Sequence, residues 1–345
     1  MKPTTTMDQI DVLDLIRGFA LIGLPFVNVL ALWSSSIHLS GKQSDIWIQR
    51  FLYIFIEGRF YAIFSFLFGV GFWIFLSRAK EKNNRPYPLF IRRMAILFFF
   101  GVIHQIINPG EALLVYAIFG MLVLLFYKAP KQVNLILGIA GVIIGSFFGV
   151  KLLLPLPLIL LGLAFGQYHV FESYAKNKKK WLAVFILSFI ATIALTVFLW
   201  QNAPDAGLST YIEGHGLTEA QAEGNRSFYE FADLSMLFST IFSIFYISSL
   251  VVLEPLARKW LSPLKSFGRM ALTNYIGQSI ILVGILAFVP AGALISYLTA
   301  TITCAIVVGV QIIFSSLWLR VFKYGPLEWL WRCGTYGKWI SIKGK

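Results

Sequence analysis

The chain has 345 residues, of which 58% are hydrophobic and 13% charged, with a mean hydropathy of +0.75. A soluble domain carries about a quarter charged residues, so this composition excludes an ordinary soluble enzyme and indicates an all-α, polytopic integral membrane protein. The formal net charge of +13 is read as membrane orientation and contact with anionic membrane lipids, and no nucleic-acid partner is expected.

Ten apolar stretches, about 12–33, 56–77, 90–108, 111–127, 133–150, 152–168, 181–200, 231–253, 270–289 and 293–319, are read as transmembrane helices of one membrane domain, 1–345. The first is not a cleavable signal, because no small-residue cleavage site follows and a second apolar stretch comes soon after. Asp14 and Arg17 stand three residues apart at its start. They suit either a snorkelling ion pair or a grip on an anionic substrate group. Arg17 and Asn28 are eleven residues apart, about three turns or roughly 16 Å along one helix face. An intramembrane amide is either interhelical glue or a functional group on a polar stripe. Residues 44–57 are amphipathic through Ile46, Trp47, Phe51, Ile54 and Phe55, and suit the outer interface.

Glu57 and Arg59 open the second span. They are either interfacial anchors or, for Arg59, a substrate contact, while Gly69 and Gly71 permit close helix packing. The third span runs from Arg92-Arg93 to His104-Gln105 and repeats the spacing of eleven between Arg93 and His104. The turn Asn108-Pro-Gly-Glu111 follows, with Tyr116 on the next span. A histidine beside a carboxylate is the common general-base arrangement, since the carboxylate orients the ring and stabilises its charged form. The alternative is an interfacial histidine in an ordinary turn. His38, His169 and His215 rank below His104. Lys151-Leu-Leu-Leu-Pro-Leu-Pro is a tight outer turn or a re-entrant hairpin.

The ninth span carries Arg269, Thr273, Asn274 and Gln278 as a polar face that is expected to meet Asp14 and Arg17 and line a cavity. The tail, 320–345, contains Gly325-Pro-Leu-Glu-Trp-Leu-Trp-Arg332 and suits the inner leaflet surface. Cys304 and Cys333 are isolated, so neither a disulfide nor a metal site is expected. No zinc-type cluster, phosphate loop or serine elbow appears.

Charge sets the orientation. The 78–93 loop holds Arg78, Lys80, Lys82, Arg85, Arg92 and Arg93 against Glu81. Lys128 and Lys131, then Lys176 and Lys178 to Lys180, then Arg258, Lys259, Lys265 and Arg269 flank later turns on the same side. The 201–230 loop has Asp205, Glu213, Glu219, Glu223 and Glu230 against Arg226. Positive-inside therefore puts both termini in the cytoplasm and the 201–230 loop outside.

The strings DVLDLIRGFALIGLPFVN, GRFYAIFSFLFGVG, RRMAILFFFGVIHQ with GEALLVYAI, FGRMALTNYIGQS and GPLEWLWR together resemble the YeiB family of bacterial membrane proteins, known by domain of unknown function 418. The resemblance covers nearly the whole chain. It implies a multi-pass protein of the bacterial plasma membrane. The family usually has Gly-Asp where this chain has Gly110-Glu111, so the carboxylate is kept one methylene longer. More distantly, the family is similar to transmembrane acyltransferases, which share an arginine followed eleven residues later by a histidine or asparagine. Arg17 and Asn28 fit the asparagine version, which implies an acyltransferase-like helix bundle.

That resemblance implies a membrane acyltransferase. Arg17 and Arg269 would bind the phosphates of a cytoplasmic acyl-CoA, with Asp14, Arg59, Asn274 and Gln278 as further substrate contacts. Asn28 would bond the acyl carbonyl. His104, oriented by Glu111, would be the base for an acceptor near the outer face. Acyl-CoA enters as a substrate, and no tightly bound cofactor is expected. The alternative is an exporter of a small anionic metabolite, with the same arginines binding it and Glu57, Glu111 and His104 relaying protons. Against export, no inverted repeat or pair of broken helices is visible. A homodimer through glycine-rich helix faces is compatible with either.

Overall fold

A computed structural model describes residues 6–34, 36–38, 42–82, 85–148, 152–172, 174–205, 218–290 and 293–343. His215 and Glu213 lie outside the described residues, and so does the side chain of His38. The fold is all-α. Helices occupy each of the ten apolar stretches: α1 (Thr6–Leu32), α3 (Arg59–Glu81), α4 (Pro86–Gln105), α5 (Leu113–Val123), α6 (Lys131–Phe147), α7 (Pro155–Gln167), α8 (Lys178–Gln201), α10 (Ser239–Ala257), α12 (Ala271–Leu286) and α13 (Tyr297–Val321). Four more lie between or after them: α2 (Gln43–Phe55), α9 (Glu219–Leu237), α11 (Ser262–Arg269) and α14 (Pro326–Tyr336). The sole sheet pairing among the described residues joins Ile37–His38 to Ile295–Ser296 in parallel.

Six helical stretches are long and apolar enough to cross a bilayer, and a seventh does so as the bent pair of α11 and α12. The stretches Leu113–Phe126, Lys131–Phe147 and Pro155–Gln167 are shorter than the ~20 residues a 30 Å hydrocarbon core asks of one helix. Leu113–Phe126 includes a final 3₁₀ turn and rises only about 21 Å as a helix. The opposite holds for Gln43–Glu81, where α2 and α3 follow on with only Ile56–Gly58 between them. Its 39 residues reach nearly 60 Å, so part of the amphipathic α2 must project beyond the hydrocarbon. Gly58 makes the break, with φ +78°, a left-handed conformation that costs glycine little.

The 201–230 stretch is partly helical. Thr218 accepts a hydrogen bond from the Gln221 amide while the Gln221 side chain accepts from the Thr218 amide. This capping box starts α9 within a polar stretch that hydropathy alone reads as loop.

Helix α1 runs through the centre, packed on α3, α10, α11, α12 and α13. Pro25 sits inside it and lacks the N–H that would bond the Leu21 carbonyl. The Gln278 amide of α12 supplies the missing bond, 3.3 Å from Leu21 O. At the other end of α1, Gly18 and Gly268 let α1 and α11 nearly touch. A Cβ on Gly18 would strike the Leu264 carbonyl, and one on Gly268 the Asp14 carbonyl. The chain then turns by 83° at Met270 into α12.

Two large apolar clusters fill most of the interior, beside a small third one of Ala62, Val142, Leu154 and Leu158. One gathers around Val12, Ile16, Ile63, Phe242 and Cys304. The other lies around Phe72, Phe90, Leu97, Tyr116 and Phe267. Most apolar side chains left outside, such as Ile136, Ile143, Leu187, Ile190 and Ile313, sit on the outward faces of the bundle where lipid would lie.

Candidate functional site

One end of the bundle is dominated by arginine. Arg17 pairs with the buried Asp14 at 2.5 Å, and its guanidinium lies near Gly71 of α3. Asp14 also lies within electrostatic reach of Arg269 and Arg332. Arg93 lies within such reach of Arg17 and Arg332. Arg93 is held by aromatic faces, with its guanidinium carbon 3.6 Å from the Trp331 ring centroid and 5.0 Å from that of Phe75. Arg269 bonds the Lys323 carbonyl at 3.2 Å, and Arg332 lies over Tyr324. Four arginines from α1, α4, α11 and α14 thus gather at this end, with Asp14 paired to Arg17. Glu328 is spent on α12. It accepts from the Leu272 and Thr273 amides at 2.6 and 3.0 Å and from the Thr273 hydroxyl at 2.6 Å. Burial pushes the Glu328 carboxyl above its ordinary value, outweighing the hydrogen bonds that favour its charged form.

The tail helix therefore docks into the bundle instead of simply lying on a surface. Trp331 donates its indole N–H to the Arg93 carbonyl at 2.8 Å, and Cys333 and Thr335 are buried.

Deeper in the molecule, the α4–α5 turn brings His104 and Glu111 together. His104 Nδ1 meets Glu111 Oε2, and Glu111 Oε1 accepts the Leu113 amide at the start of α5. Both carboxylate oxygens are thus occupied. His104 is 1% exposed, and its Nε2 is buried with no hydrogen-bond partner among the described residues. With Nδ1–H donating to Glu111, Nε2 carries the acceptor lone pair. Tyr275 of α12 stands edge-on to the imidazole, ring centroids 5.1 Å apart, and its hydroxyl accepts the Ala112 amide at 3.4 Å. The Tyr116 hydroxyl lies on the same side and meets Ser65 of α3 at 3.2 Å. Asn108, fully buried, takes the Gly110 amide on its side-chain oxygen, while its Nδ2 has no hydrogen-bond partner among the described residues.

The remaining predicted residues sit elsewhere. Arg59 is 0% exposed. It donates to the Glu57 carbonyl at 2.5 Å and to Ser235 at 2.8 Å and lies over the Phe242 ring, so it braces the break between α2 and α3. Asn274 donates to the Phe267 carbonyl and to Ser315, and Gln278 is taken up by Leu21. These two join α12 to its neighbours, which leaves Arg269 as the residue of that polar face within electrostatic reach of Asp14. Asn28, half-buried on α1, makes no hydrogen bond among the described residues, and no hydrogen bond or ring contact joins it to His104. Nor do these residues line the apolar groove of about 390 Å³ between α1, α2, α8 and α13, which is bounded by Phe26, Trp47, Phe51, Leu52 and Trp200.

Tyr275, Glu328 and Arg332 are the residues that sequence reasoning missed. An aromatic in an apolar helix reads as core, and a tail carboxylate gives no sign of the helix it caps. The glycines flanking Arg17 and Arg269 were the available signal, since they mark where two polar helix ends cross closely.

The fold and this buried pair define a polytopic helical membrane protein with a His–Glu dyad between α4, α5 and α12. The chain belongs to the YeiB family, described as "Protein of unknown function (DUF418)", whose profile matches residues 165–338. It is 41% identical to an uncharacterized 39.9 kDa protein in the amylase 3'region of Bacillus acidopullulyticus, over 99% of this chain and 98% of the other. It is 32% identical to the uncharacterized protein YxaH of Bacillus subtilis (strain 168), over 100% and 98%. It is 24% identical to the uncharacterized protein YeiB of Escherichia coli (strain K12), over 94% and 96%. No solved structure matches.

Proposed function

We propose that the protein is a membrane-embedded acyltransferase, moving an acyl group from a cytoplasmic donor such as acyl-CoA to a hydroxyl or amine acceptor near the outer face. The observation that carries this reading is the buried His104–Glu111 pair with Nε2 left unpartnered. His104 Nε2 takes the acceptor's proton as the acceptor oxygen or nitrogen forms a bond to the acyl carbon. The bond from acyl carbon to sulfur breaks, and CoA leaves as the thiol after taking that proton back. Glu111 holds the imidazole and stabilises its charged form. Arg17, Arg269, Arg93 and Arg332 supply positive charge for the donor phosphates. Asn28, uncommitted on α1, is the group assigned to the acyl carbonyl. The basic loops support a placement in the bacterial plasma membrane as one ten-span domain with both termini cytoplasmic, and a homodimer is compatible with it.

One observation favours a second reading, export of a small anion. The 83° break between α11 and α12 is the kind of interrupted helix that transporters use at substrate sites. Both readings are tested in one preparation, the purified protein in liposomes supplied with acetyl-CoA. Acyl transfer predicts thiol release that falls at least about a hundredfold in His104→Ala, the usual scale of a lost general base. The absence of both CoA binding and thiol release would overturn it. Anion flux that is lost in Arg17→Ala and kept in His104→Ala would establish export instead.

A further inference from the structure

The tail helix α14 touches both of the helices that meet at the dyad. On one side Trp331 stacks on Arg93 and bonds its carbonyl, which fixes α4 eleven residues before His104. On the other side Glu328 caps α12, and Thr273 ties back by accepting the Leu327 amide at 3.1 Å. Tyr275 lies two residues beyond Thr273, on the first turn that Glu328 secures. A capped helix end holds its first turn, whereas an uncapped one frays. Orphaning the Leu272 and Thr273 amides would therefore loosen the segment that carries Tyr275.

Tyr275 acts on the dyad in two ways. Its ring edge packs on the imidazole, which restricts ring rotation about the His104–Glu111 contact. Its hydroxyl accepts the amide of Ala112, the residue directly after Glu111. The Ala112 carbonyl already takes the Tyr116 amide and Glu111 is committed to Leu113 and His104, so the Tyr275 hydroxyl is what holds the Ala112 amide.

We propose that Tyr275 is a positioning residue for the His104–Glu111 pair, and that Glu328 of the C-terminal helix sets it in place by capping α12. The inference rests on the dyad being the functional centre. Its test is independent of acyl transfer, so failure of the one is distinguishable from failure of the other.

The test reads the His104 Nδ1 proton by NMR in the full chain, histidine-labelled and held in lipid nanodiscs. A low-field resonance that vanishes in Glu111→Ala assigns the signal. In Tyr275→Phe, which keeps the ring and removes the hydroxyl, that proton exchanges with water about tenfold faster, the factor equivalent to about 1.4 kcal/mol. Glu328→Ala gives an increase of the same order, and Glu328→Gln, which retains an acceptor oxygen, recovers most of the loss. The double variant Tyr275→Phe with Glu328→Ala is no faster than the faster single one, because both act through one link. Leu330→Ala, on the exposed face of α14, leaves the signal unchanged. Helical circular dichroism and a single elution peak exclude misfolding. Unchanged exchange in folded Tyr275→Phe, or multiplying effects in the double variant, would overturn the proposal.

Discussion

Glu111 does two things with one side chain. One oxygen receives the first free amide of α5 and the other receives His104. The two tasks separate on substitution. Glu111→Gln keeps an acceptor for one of these donors but removes the charge that stabilises a protonated imidazole. It should therefore preserve the fold and lower thiol release from acetyl-CoA by about a hundredfold or more. A drop in thermal midpoint that accounts for the loss would mean that Glu111 matters only as a helix cap. Arg17 is held by Asp14 within the same helix turn, yet about a third of its side chain stays open, whereas Arg59 is fully buried against Glu57, Ser235 and Phe242.

At the scale of elements, α12 is the telling case. Its start is buried at a sharp bend, and its amides are satisfied by a carboxylate from another helix. The Glu328 carboxyl is raised above its ordinary value by burial, so the folded protein holds a proton there at pH values where the unfolded chain has lost it. Its contribution to stability therefore declines as pH rises from the ordinary glutamate range through the folded value. A thermal-melt series in detergent should show the midpoint falling with pH across that window in the native protein, and a flatter profile in Glu328→Gln. A profile identical in both would show that the group does not titrate on folding. The elements differ in how legible they were. The His104–Glu111 pair could be read because its partners are seven residues apart in one turn. The long spans could be read because hydropathy is additive over a window. The bend at Met270 could not, since it depends on Gly268 meeting a carbonyl of α1 and on a cap 56 residues away. Pro25 explains the bond of Gln278 to Leu21, and that pairing links residues 257 apart, beyond the reach of any local pattern. The start of α9 was written in Thr218 and Gln221, but its polar composition masked it.

For the whole molecule, the uneven lengths of the helices matter more than their number. Short α5 packs on the long α4, short α7 on the long α3, and α6 on α7, so the turn bearing Glu111 need not lie at the same depth as the ends of its neighbours. The burial of Asn108 and Glu111 agrees with that. The orientation is open to a direct check. The native cysteines are buried, so single cysteines placed at the exposed positions 82 and 226 report the two sides. Under the positive-inside arrangement, Arg226→Cys reacts with an impermeant thiol reagent on intact cells, whereas Lys82→Cys reacts only after permeabilisation. The reverse pattern would invert the proposed direction of transfer.

The cap that Glu328 provides also has a place in time. Leu272 leaves the ribosome 56 residues before its partner, and at roughly 5–20 residues per second that interval is about 3–11 s. Through it, α12 waits with its leading amides unfilled beside a cluster of arginines. A newborn chain therefore holds α1 to α13 before the start of α12 is capped, and α14, the last of the described helices, completes it. Loss of α14 would leave the preceding helices made and the molecule unfinished.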